Sequence, residues 1–352
     1  MSKSLVELER RHRRLKNLRD TKQVDAVATA LRTVWEEGRK PERIGLRYSF
    51  LDARDALAPP ATQLLNPRGV ALRFYLLAVF EAQCRLAPGE QWKQGSRPLQ
   101  GHGGWSDFLA VDAGYSAEQG IYGRPTKQRR TPGTSRLRQV HGALRALEKL
   151  GEDRGEGQSD QALVAVPRKG NARGDRVYAD FSLLLESGRG RHPSEQLYRA
   201  PADGENEVFW IPTSFFLRGW AQVLTPAETV TWLVFRRMAD YLFSKHQESG
   251  LYLYANKREE AFHLLRDSYE EACKALRSYG LIRFARSEDM AVELAKQFEQ
   301  VFSQPTQAPV TYEPHRYQLV DESLEQDALE RCMKELVLRQ QELKKRRPSA
   351  SE

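Results

Sequence analysis

The stretch SRLRQVHGALRALEKLG, residues 135–151, is apolar on one side and basic on the other when it is read at helical spacing. At about 100° per residue, one side forms a stripe that a globular protein buries, made of Val140, Leu144, Leu147 and Leu150. The opposite side consists of Ser135, Arg138, Gly142, Arg145 and Lys149. A solvated face is the common explanation of a lone basic helix, so the flanking sequence has to decide what the basic side does.

Both flanks of this helix are basic. A loop rich in Gly, Arg and Pro precedes it over residues 120–133, and Thr134 or Ser135 is expected to cap its N-terminus. Behind it, residues 162–166 and 177–183 have the composition of two strands joined by a basic turn that contains glycine. The helix and the predicted hairpin therefore form one basic segment.

This segment has a net charge of +7, nearly the whole excess positive charge of the protein. Residues 124–176 hold 13 Lys and Arg against 6 Asp and Glu, in a protein with a formal net charge of +8. Together with a helix predicted over residues 70–87, the order is helices followed by a two-stranded hairpin, which is typical of a winged helix. In that fold the last helix enters the major groove and the hairpin lies on the phosphate backbone. The pattern predicts double-stranded DNA as a partner.

The residue types give each candidate contact a role. Arg and Lys match guanine, Gln matches adenine, and Gly lets the helix backbone approach the groove. The helix contributes Ser135, Arg136, Arg138, Gln139, Gly142, Arg145 and Lys149. The contacts expected to neutralise phosphates are Arg129 and Arg130 before the helix, and Arg168, Lys169, Arg173 and Arg176 on the hairpin.

A later segment repeats the apolar pattern of the first. A shift by 129 places residues 146–151 on residues 275–280. The outward face is not repeated, because residues 207–304 hold 12 Lys and Arg against 13 Asp and Glu. The first unit, residues 61–186, is therefore expected to make the main DNA contact, and residues 207–304 form the second unit. The second either makes a weaker, more base-selective contact through Lys274 and Arg277, associates with protein, or is a structural helical domain.

Breaks in composition predict the domain organisation. The expected parts are a basic helical N-terminal extension (1–60), a first winged-helix domain (61–186), a linker (187–206), a second winged-helix domain (207–304), and a linker with a C-terminal amphipathic helix (305–352). The fold class is mainly α with small β-hairpins, or α+β, arranged as tandem winged helices with helical extensions. The C-terminal helix is expected to dock on its own chain, with a homodimer contact as the alternative.

Composition favours a soluble, cytoplasmic protein. The three cysteines are too few and too scattered for a disulfide framework or a zinc knuckle, which favours a reducing compartment. The N-terminus has no apolar signal region, and no stretch is apolar enough to cross a membrane. The sequence pI near 9.3 is compatible with a polyanionic partner.

Residues 208–286 contain, in order, IPTSFF, GW, LTPAETVTWLVF, LYLYANKREEAFHLL and SYEEACKALRSYGLIRF. The Ile-Pro entry at Ile211 and Pro212, the Leu-Thr helix cap, the long apolar helix and the Leu-x-x-x-Gly-Leu-Ile exit at residues 276–282 resemble the winged-helix domain of plasmid replication initiator proteins. The resemblance implies recognition of repeated sites at a plasmid origin and recruitment of host replication proteins such as a helicase. Two features depart from the family pattern. One is the acidic recognition helix of the second unit, and the other is the basic N-terminal extension, residues 1–60, called the basic lead below.

The sequence lacks the common catalytic motifs. It has no G-x-x-x-x-G-K-[ST] phosphate loop, no H-E-x-x-H, no C-x-x-C, and no His-apolar-His pair of the kind that holds a metal in nickases. We therefore expect no enzymatic activity, no metal and no cofactor. The leading hypothesis is a sequence-specific DNA-binding protein used as a plasmid-type replication initiator. The alternatives are an autoregulatory winged-helix transcriptional repressor, and an interaction scaffold tethered to nucleic acid by its basic lead.

Overall fold

The fold was taken from a computed structural model of the chain. It describes residues 3–53, 57–65, 70–93, 97–112, 114–116, 121–122, 132–151, 161–170, 174–188, 196–285 and 315–345. Within these ranges the protein is mainly helical, with small antiparallel strand pairs, which confirms the predicted α+β class. The tandem winged-helix arrangement and the domain boundaries stay predictions.

Twelve α-helices occur among the described residues. They are α1 (Lys3–Asp20), α2 (Gln23–Glu37), α3 (Pro60–Gln63), α4 (Ala71–Arg85), α5 (Pro132–Glu148), α6 (Ser214–Leu217), α7 (Trp220–Val223), α8 (Pro226–Tyr241), α9 (Phe243–Ser249), α10 (Ala255–Phe262), α11 (Arg266–Ser278) and α12 (Ala328–Lys345). Short 3₁₀ helices cover Tyr48–Phe50, Trp105–Phe108, Tyr178–Asp180 and Asp321–Glu325.

Eight short strands form four antiparallel pairs in the described parts of the chain. The strands are β1 (Arg43–Arg47), β2 (Tyr115–Ser116), β3 (Ile121–Tyr122), β4 (Val164–Ala165), β5 (Ser182–Leu183), β6 (Val208–Pro212), β7 (Ile282–Phe284) and β8 (Tyr317–Leu319). The pairs are β1 with β6, β2 with β3, β4 with β5, and β7 with β8.

Helix α4 lies at the centre of the molecule. Every residue of α4 except Arg73 and Arg85 is buried, as expected for a helix that is apolar on all sides. One continuous cluster of buried apolar side chains runs from Leu15 through this helix to Leu336. The N-terminal lead, the centre and the C-terminal helix therefore share a core.

The basic lead is integrated into this core. The helical spacing of Leu5, Leu8, Leu15 and Leu18 predicts that one side of α1 is apolar. Leu5, Leu15 and Leu18 are buried, and Leu8 is partly buried against the same cluster, which confirms this apolar side. Strand β1, which the sequence reading did not predict, pairs residue by residue with β6, from Arg43 opposite Pro212 to Arg47 opposite Val208. Chain segments more than 150 residues apart therefore form one ribbon.

Helix α8 has a complete N-terminal cap. The Thr225 hydroxyl accepts a hydrogen bond from the backbone N–H of Glu228, whose carboxylate accepts in return from the backbone N–H of Thr225. Pro226 occupies the first turn, where its missing N–H costs nothing. The Leu-Thr-Pro-Ala-Glu sequence thus fixes where α8 begins.

The Leu-x-x-x-Gly-Leu-Ile exit is a helix C-cap. After α11, Gly280 has a φ of +79°, a left-handed conformation that favours glycine. Its N–H donates to the carbonyl of Arg277, and the N–H of Leu281 donates to the carbonyl of Leu276, which is the Schellman pattern. Gly151, after α5, has a similar φ of +84°. The two segments related by the 129-residue shift therefore share this turn.

The residues LYLYA, 251–255, have the composition of a short strand, but the pairing in the structure is shorter. Only Leu251 makes a β-bridge, to Tyr317 of β8, and α10 begins at Ala255. Gly250 makes this bridge sterically feasible, since a Cβ there would lie 2.5 Å from the Cβ of Ala285. The backbone around Gly250 therefore lies close to Ala285 and Tyr317, and strand pairing here is limited to the single bridge at Leu251.

Helix α12 docks on its own chain, as predicted. Ala328, Cys332 and Leu336 are fully buried, and Arg331 donates hydrogen bonds to the carbonyls of Ser278 and Tyr279 at the end of α11. These carbonyls form the negative end of a helix dipole, which a guanidinium stabilises. The apolar side of α12 is therefore occupied within one chain.

The buried His246 makes stability depend on pH. Its Nε2 accepts a hydrogen bond from the backbone N–H of Leu319 in β8, at 3.0 Å. Burial and the nearby Arg236 lower the His246 pKa, so the folded state favours the neutral ring. Just below about pH 6.5 the unfolded chain binds a proton at this position more readily than the folded chain, and stability should therefore fall as the pH drops through that range.

Urea unfolding between about pH 7.5 and pH 5.5 measures this effect. The His246→Gln variant removes the titrating ring, and we expect its stability to change less over that interval than that of the unmodified chain. An identical pH response of the two proteins would contradict a role for His246.

Candidate nucleic-acid interface

The opening stretch forms α5, and its apolar stripe is buried as predicted. Val140, Leu144, Leu147 and Leu150 are all completely buried. The helix begins at Pro132, two residues before the expected cap, so neither Thr134 nor Ser135 is the N-cap. Packing against α4 fixes which side of α5 faces outward.

A hairpin follows α5 where the sequence predicted one. Strands β4 and β5 are shorter than the predicted strands 162–166 and 177–183, with Val164 opposite Leu183. Beyond them, Arg168 and Arg176 form a further bridge, and the N–H of Lys169 donates to the carbonyl of Asp175. The hairpin arms are therefore paired up to the turn.

Two side-chain contacts hold the hairpin against α5. The ring of His141 stacks on Tyr178, with centroids 4.4 Å apart and planes 19° apart. The Arg176 guanidinium forms an ion pair with Glu148 at 2.6 Å. Partial burial and the charge of Arg145 lower the His141 pKa, which favours a neutral ring in this stack. The helix and the hairpin thus form a single surface, which we call the α5–hairpin surface.

Most described candidates on this surface reach solvent. Gln139 and Gly142 are half-exposed, and a Cβ placed on Gly142 would meet no atom within 4 Å. The exposed cations are Arg138 and Arg145 on α5, Lys149 directly after it, and Arg168 and Lys169 on the hairpin. These side chains can reach a polyanion without rearrangement of the fold.

Three predicted contacts are buried or lie beside acidic side chains of the protein. Ser135 is 1% exposed, so the prediction that it lies on the outward face is wrong. Arg136 lies near Asp107 of the 3₁₀ helix, with Nη1 and Oδ1 3.7 Å apart. Arg176 is engaged by Glu148, as described above. The helical wheel placed Ser135 outward because it cannot show which neighbouring elements cover the first turn of α5. Arg136 and Arg176 remain predicted contacts.

The remaining first-unit candidates cannot be placed. Arg129, Arg130 and Arg173 lie outside the described residues. Their contribution to a basic surface stays a prediction from the sequence.

The two second-unit candidates are exposed on or near the end of α11. Lys274 forms an ion pair with Glu271 at 2.8 Å, and the Arg277 guanidinium lies 4.2 Å from the ring centroid of Phe284. Glu271 also lies 3.6 Å from the guanidinium of Arg339 on α12. The outward side of α11 is therefore a mixed, internally paired surface, unlike that of α5.

Sequence reasoning missed the residues that join the elements. His141, Tyr178 and Glu148 orient the hairpin, and Arg13 of α1 stacks on Tyr122 at 4.1 Å, beside the start of the basic loop. No local pattern identifies such pairs, because each joins residues that become neighbours only after folding.

Other site types find no support among the described residues. No group of three or more His, Cys, Asp or Glu side chains is arranged to hold a metal ion. In the same part of the chain, no helix is both long and apolar enough to cross a bilayer. Comparison with protein-family models, curated proteins and solved structures finds no match to this chain.

Proposed function

We propose that the protein binds double-stranded DNA sequence-specifically through the α5–hairpin surface. The observation that supports this most is that five cations are exposed on two elements held together by the His141–Tyr178 stack and the Arg176–Glu148 ion pair. A helix of about 10–12 Å diameter fits the major groove, which is about 12 Å wide. Lys and Arg on the adjoining hairpin then lie where a phosphate backbone would pass.

The order of elements supports a winged-helix assignment for both units. Residues 226–319 run from α8 through the bridge at Leu251 to α10, α11 and the β7–β8 pair. Residues 71–183 run from α4 through a bridge at Gln91 to a 3₁₀ helix, α5 and the β4–β5 pair. In each unit the helix before the hairpin is the one that would read DNA. Because the outward side of α11 has mixed charge, we propose α5 for the main contact.

Initiation of plasmid-type replication is the use we propose for this binding. The resemblance of residues 208–286 to initiator proteins supports it, together with two units in one chain that could bind repeated sites. Selection of the duplexes that the full chain binds from a random pool tests both the sequence-specific binding and its proposed use at an origin. Enrichment of a defined motif is expected, and repeats of it in one direction fit an origin. A single inverted repeat would favour a transcriptional repressor, and no enriched motif would favour the tethered scaffold.

Arg138 and Lys169 are expected to contribute differently. Arg138 lies on α5, where an arginine can pair with guanine, and Arg138→Ala should lower discrimination at one base position by about 1–3 kcal/mol. Lys169 lies on the hairpin, and Lys169→Ala should weaken binding to specific and random duplexes alike. Fluorescence anisotropy with the selected duplex and a scrambled one measures both. Equal losses on both duplexes for both variants would contradict this division of roles.

Gly142 should separate stability from recognition. Glycine in a helix interior costs about 0.5–1 kcal/mol relative to alanine, and a Cβ at Gly142 meets no other atom. Gly142→Ala is therefore expected to raise the free energy of unfolding by about that amount while weakening duplex binding, because a methyl group would stand between α5 and the groove. Urea unfolding and duplex titration measure the two effects. A stabilised variant with unchanged affinity would show that Gly142 does not approach DNA.

A further inference from the structure

A second charged surface surrounds two tyrosines that lie between α9 and α10. The side chains of Lys245 on α9, Tyr252 and Tyr254 before α10, and Arg316 beside β8 form what we call the tyrosine–cation cluster. The bridge between Leu251 and Tyr317 brings the tyrosines next to Arg316. None of these four residues belongs to the α5–hairpin surface.

The cluster is ordered by its own contacts. The rings of Tyr252 and Tyr254 meet edge to face, with centroids 4.3 Å apart and planes 86° apart, and the Tyr252 hydroxyl donates a hydrogen bond to that of Tyr254. The Lys245 ammonium and the Arg316 guanidinium lie over the Tyr252 ring, 5.2 and 5.3 Å from its centroid. Cation–π attraction therefore holds two positive charges beside one aromatic group.

These charges lack a carboxylate partner among the described residues. Neither Lys245 nor Arg316 forms an ion pair there, and Glu248, on the same helix as Lys245, is exposed and pairs with neither. The hydrogen bond from Tyr252 raises the Tyr254 pKa, and the charged side chains that oppose this rise are Lys245 and Arg316. Tyr254 is 53% exposed despite its large apolar ring. Two uncompensated cations and an exposed tyrosine remain open to a partner.

We infer that the tyrosine–cation cluster is a docking site for an acidic peptide segment of a partner protein. Tyr and Arg are the residue types that most often anchor protein interfaces. A carboxylate can take charge-assisted hydrogen bonds from Lys245 and Arg316 while an apolar side chain packs on Tyr254. The site therefore suits a segment in which acidic and apolar residues alternate.

The arrangement around Tyr252 favours a short acidic segment over a nucleic acid. Stacking of a base needs an open ring face, whereas Lys245 and Arg316 already lie over the ring of Tyr252. A carboxylate needs only the two cations, which this arrangement holds side by side.

A labelled peptide in which glutamate alternates with leucine and phenylalanine tests the inference with the full-length chain. We expect the peptide to bind, and its counterpart with glutamine in place of glutamate to bind poorly. The combined change Lys245→Glu and Arg316→Glu should weaken binding by at least about tenfold, since a hydrogen bond to a charged group contributes about 1.5–3 kcal/mol. Tyr254→Ala should also weaken it. Circular dichroism confirms that each variant is folded.

The matched control makes the same change of charge elsewhere. Lys16 on α1 and Arg32 on α2 are exposed, and Lys16→Glu with Arg32→Glu should leave peptide affinity unchanged. An equal loss in the control would overturn the inference, because it would show attraction by net charge alone. Displacement of the peptide by oligothymidylate, with binding of that oligonucleotide lost in Tyr254→Ala, would overturn it in favour of single-stranded nucleic acid. Duplex binding should be unaffected in the cluster variants, so the two proposals can fail separately.

Discussion

Raising the salt concentration from about 50 to about 200 mM is expected to lower the affinity for duplex DNA by about a thousandfold. The α5–hairpin surface exposes five cations among the described residues, and a contact with about six phosphates releases a corresponding number of counterions. The slope of log affinity against log salt should be about −5, since each neutralised phosphate contributes about −0.9. Fluorescence anisotropy with a labelled duplex, titrated at several salt concentrations, measures this slope.

The same titration identifies which cations contribute. Removing Arg168 and Lys169 together should make the slope shallower by about 2, because each is expected to neutralise one phosphate. Lys16→Ala with Arg32→Ala removes two exposed cations from α1 and α2, and the slope should then stay as it is. A salt response that is flat in the unmodified chain would contradict the proposed interface altogether.

Arg11→Ala is expected to destabilise the whole protein by about 3–5 kcal/mol, because it leaves a buried carboxylate without its cation. The Arg11 guanidinium makes a bidentate ion pair with Glu228, with Nη2 and Oε2 2.7 Å apart, and the two side chains are 14% and 5% exposed. Burial lowers the Arg11 pKa more than any other single effect, but the charge and hydrogen bond of Glu228 together with Tyr279 and Cys332 outweigh it, and the pKa rises. A loss of this size is a large part of the stability of an ordinary domain.

A double-mutant cycle separates the pair from the packing around it. Glu228→Gln keeps a side chain that can cap α8, and Arg11→Met keeps apolar volume, so the double variant should recover most of the stability lost by Arg11→Met alone. Urea unfolding of the four proteins measures the coupling, and Lys16→Ala on the same helix should change stability by no more than about 0.5 kcal/mol. If Arg11→Ala were as mild as Lys16→Ala, the Arg11–Glu228 ion pair would not contribute to holding α1 in the fold.

The contrast between Arg11 and Arg13 shows why charge patterns mislead. Both belong to the basic run of residues 10–16 in the predicted N-terminal extension. In the structure Arg11 is buried against Glu228 and the Tyr279 ring, whereas Arg13 is exposed and stacks on Tyr122. Formal charge counts treat them alike, since the partner of each is more than 100 residues away.

The sequence by itself determined the elements whose signals are local. Periodicity gave the buried stripe of α5, the apolar side of α1, the helix at residues 71–85 and the docked C-terminal helix, because burial of an apolar stripe follows directly from spacing. The Thr-Pro-Ala-Glu and Gly-Leu-Ile signals located the ends of α8 and α11 through backbone hydrogen bonds within a few residues.

Only the tertiary structure decided which cations remain exposed and which elements share a core. The β1–β6 ribbon, the burial of Ser135, the pairing of Arg136 and Arg176, and the tyrosine–cation cluster all depend on residues far apart in the chain. A helical wheel assigns a side chain to a direction, but burial and ion pairing depend on what packs there. That information lies in contacts between distant segments, which no window of neighbouring residues contains.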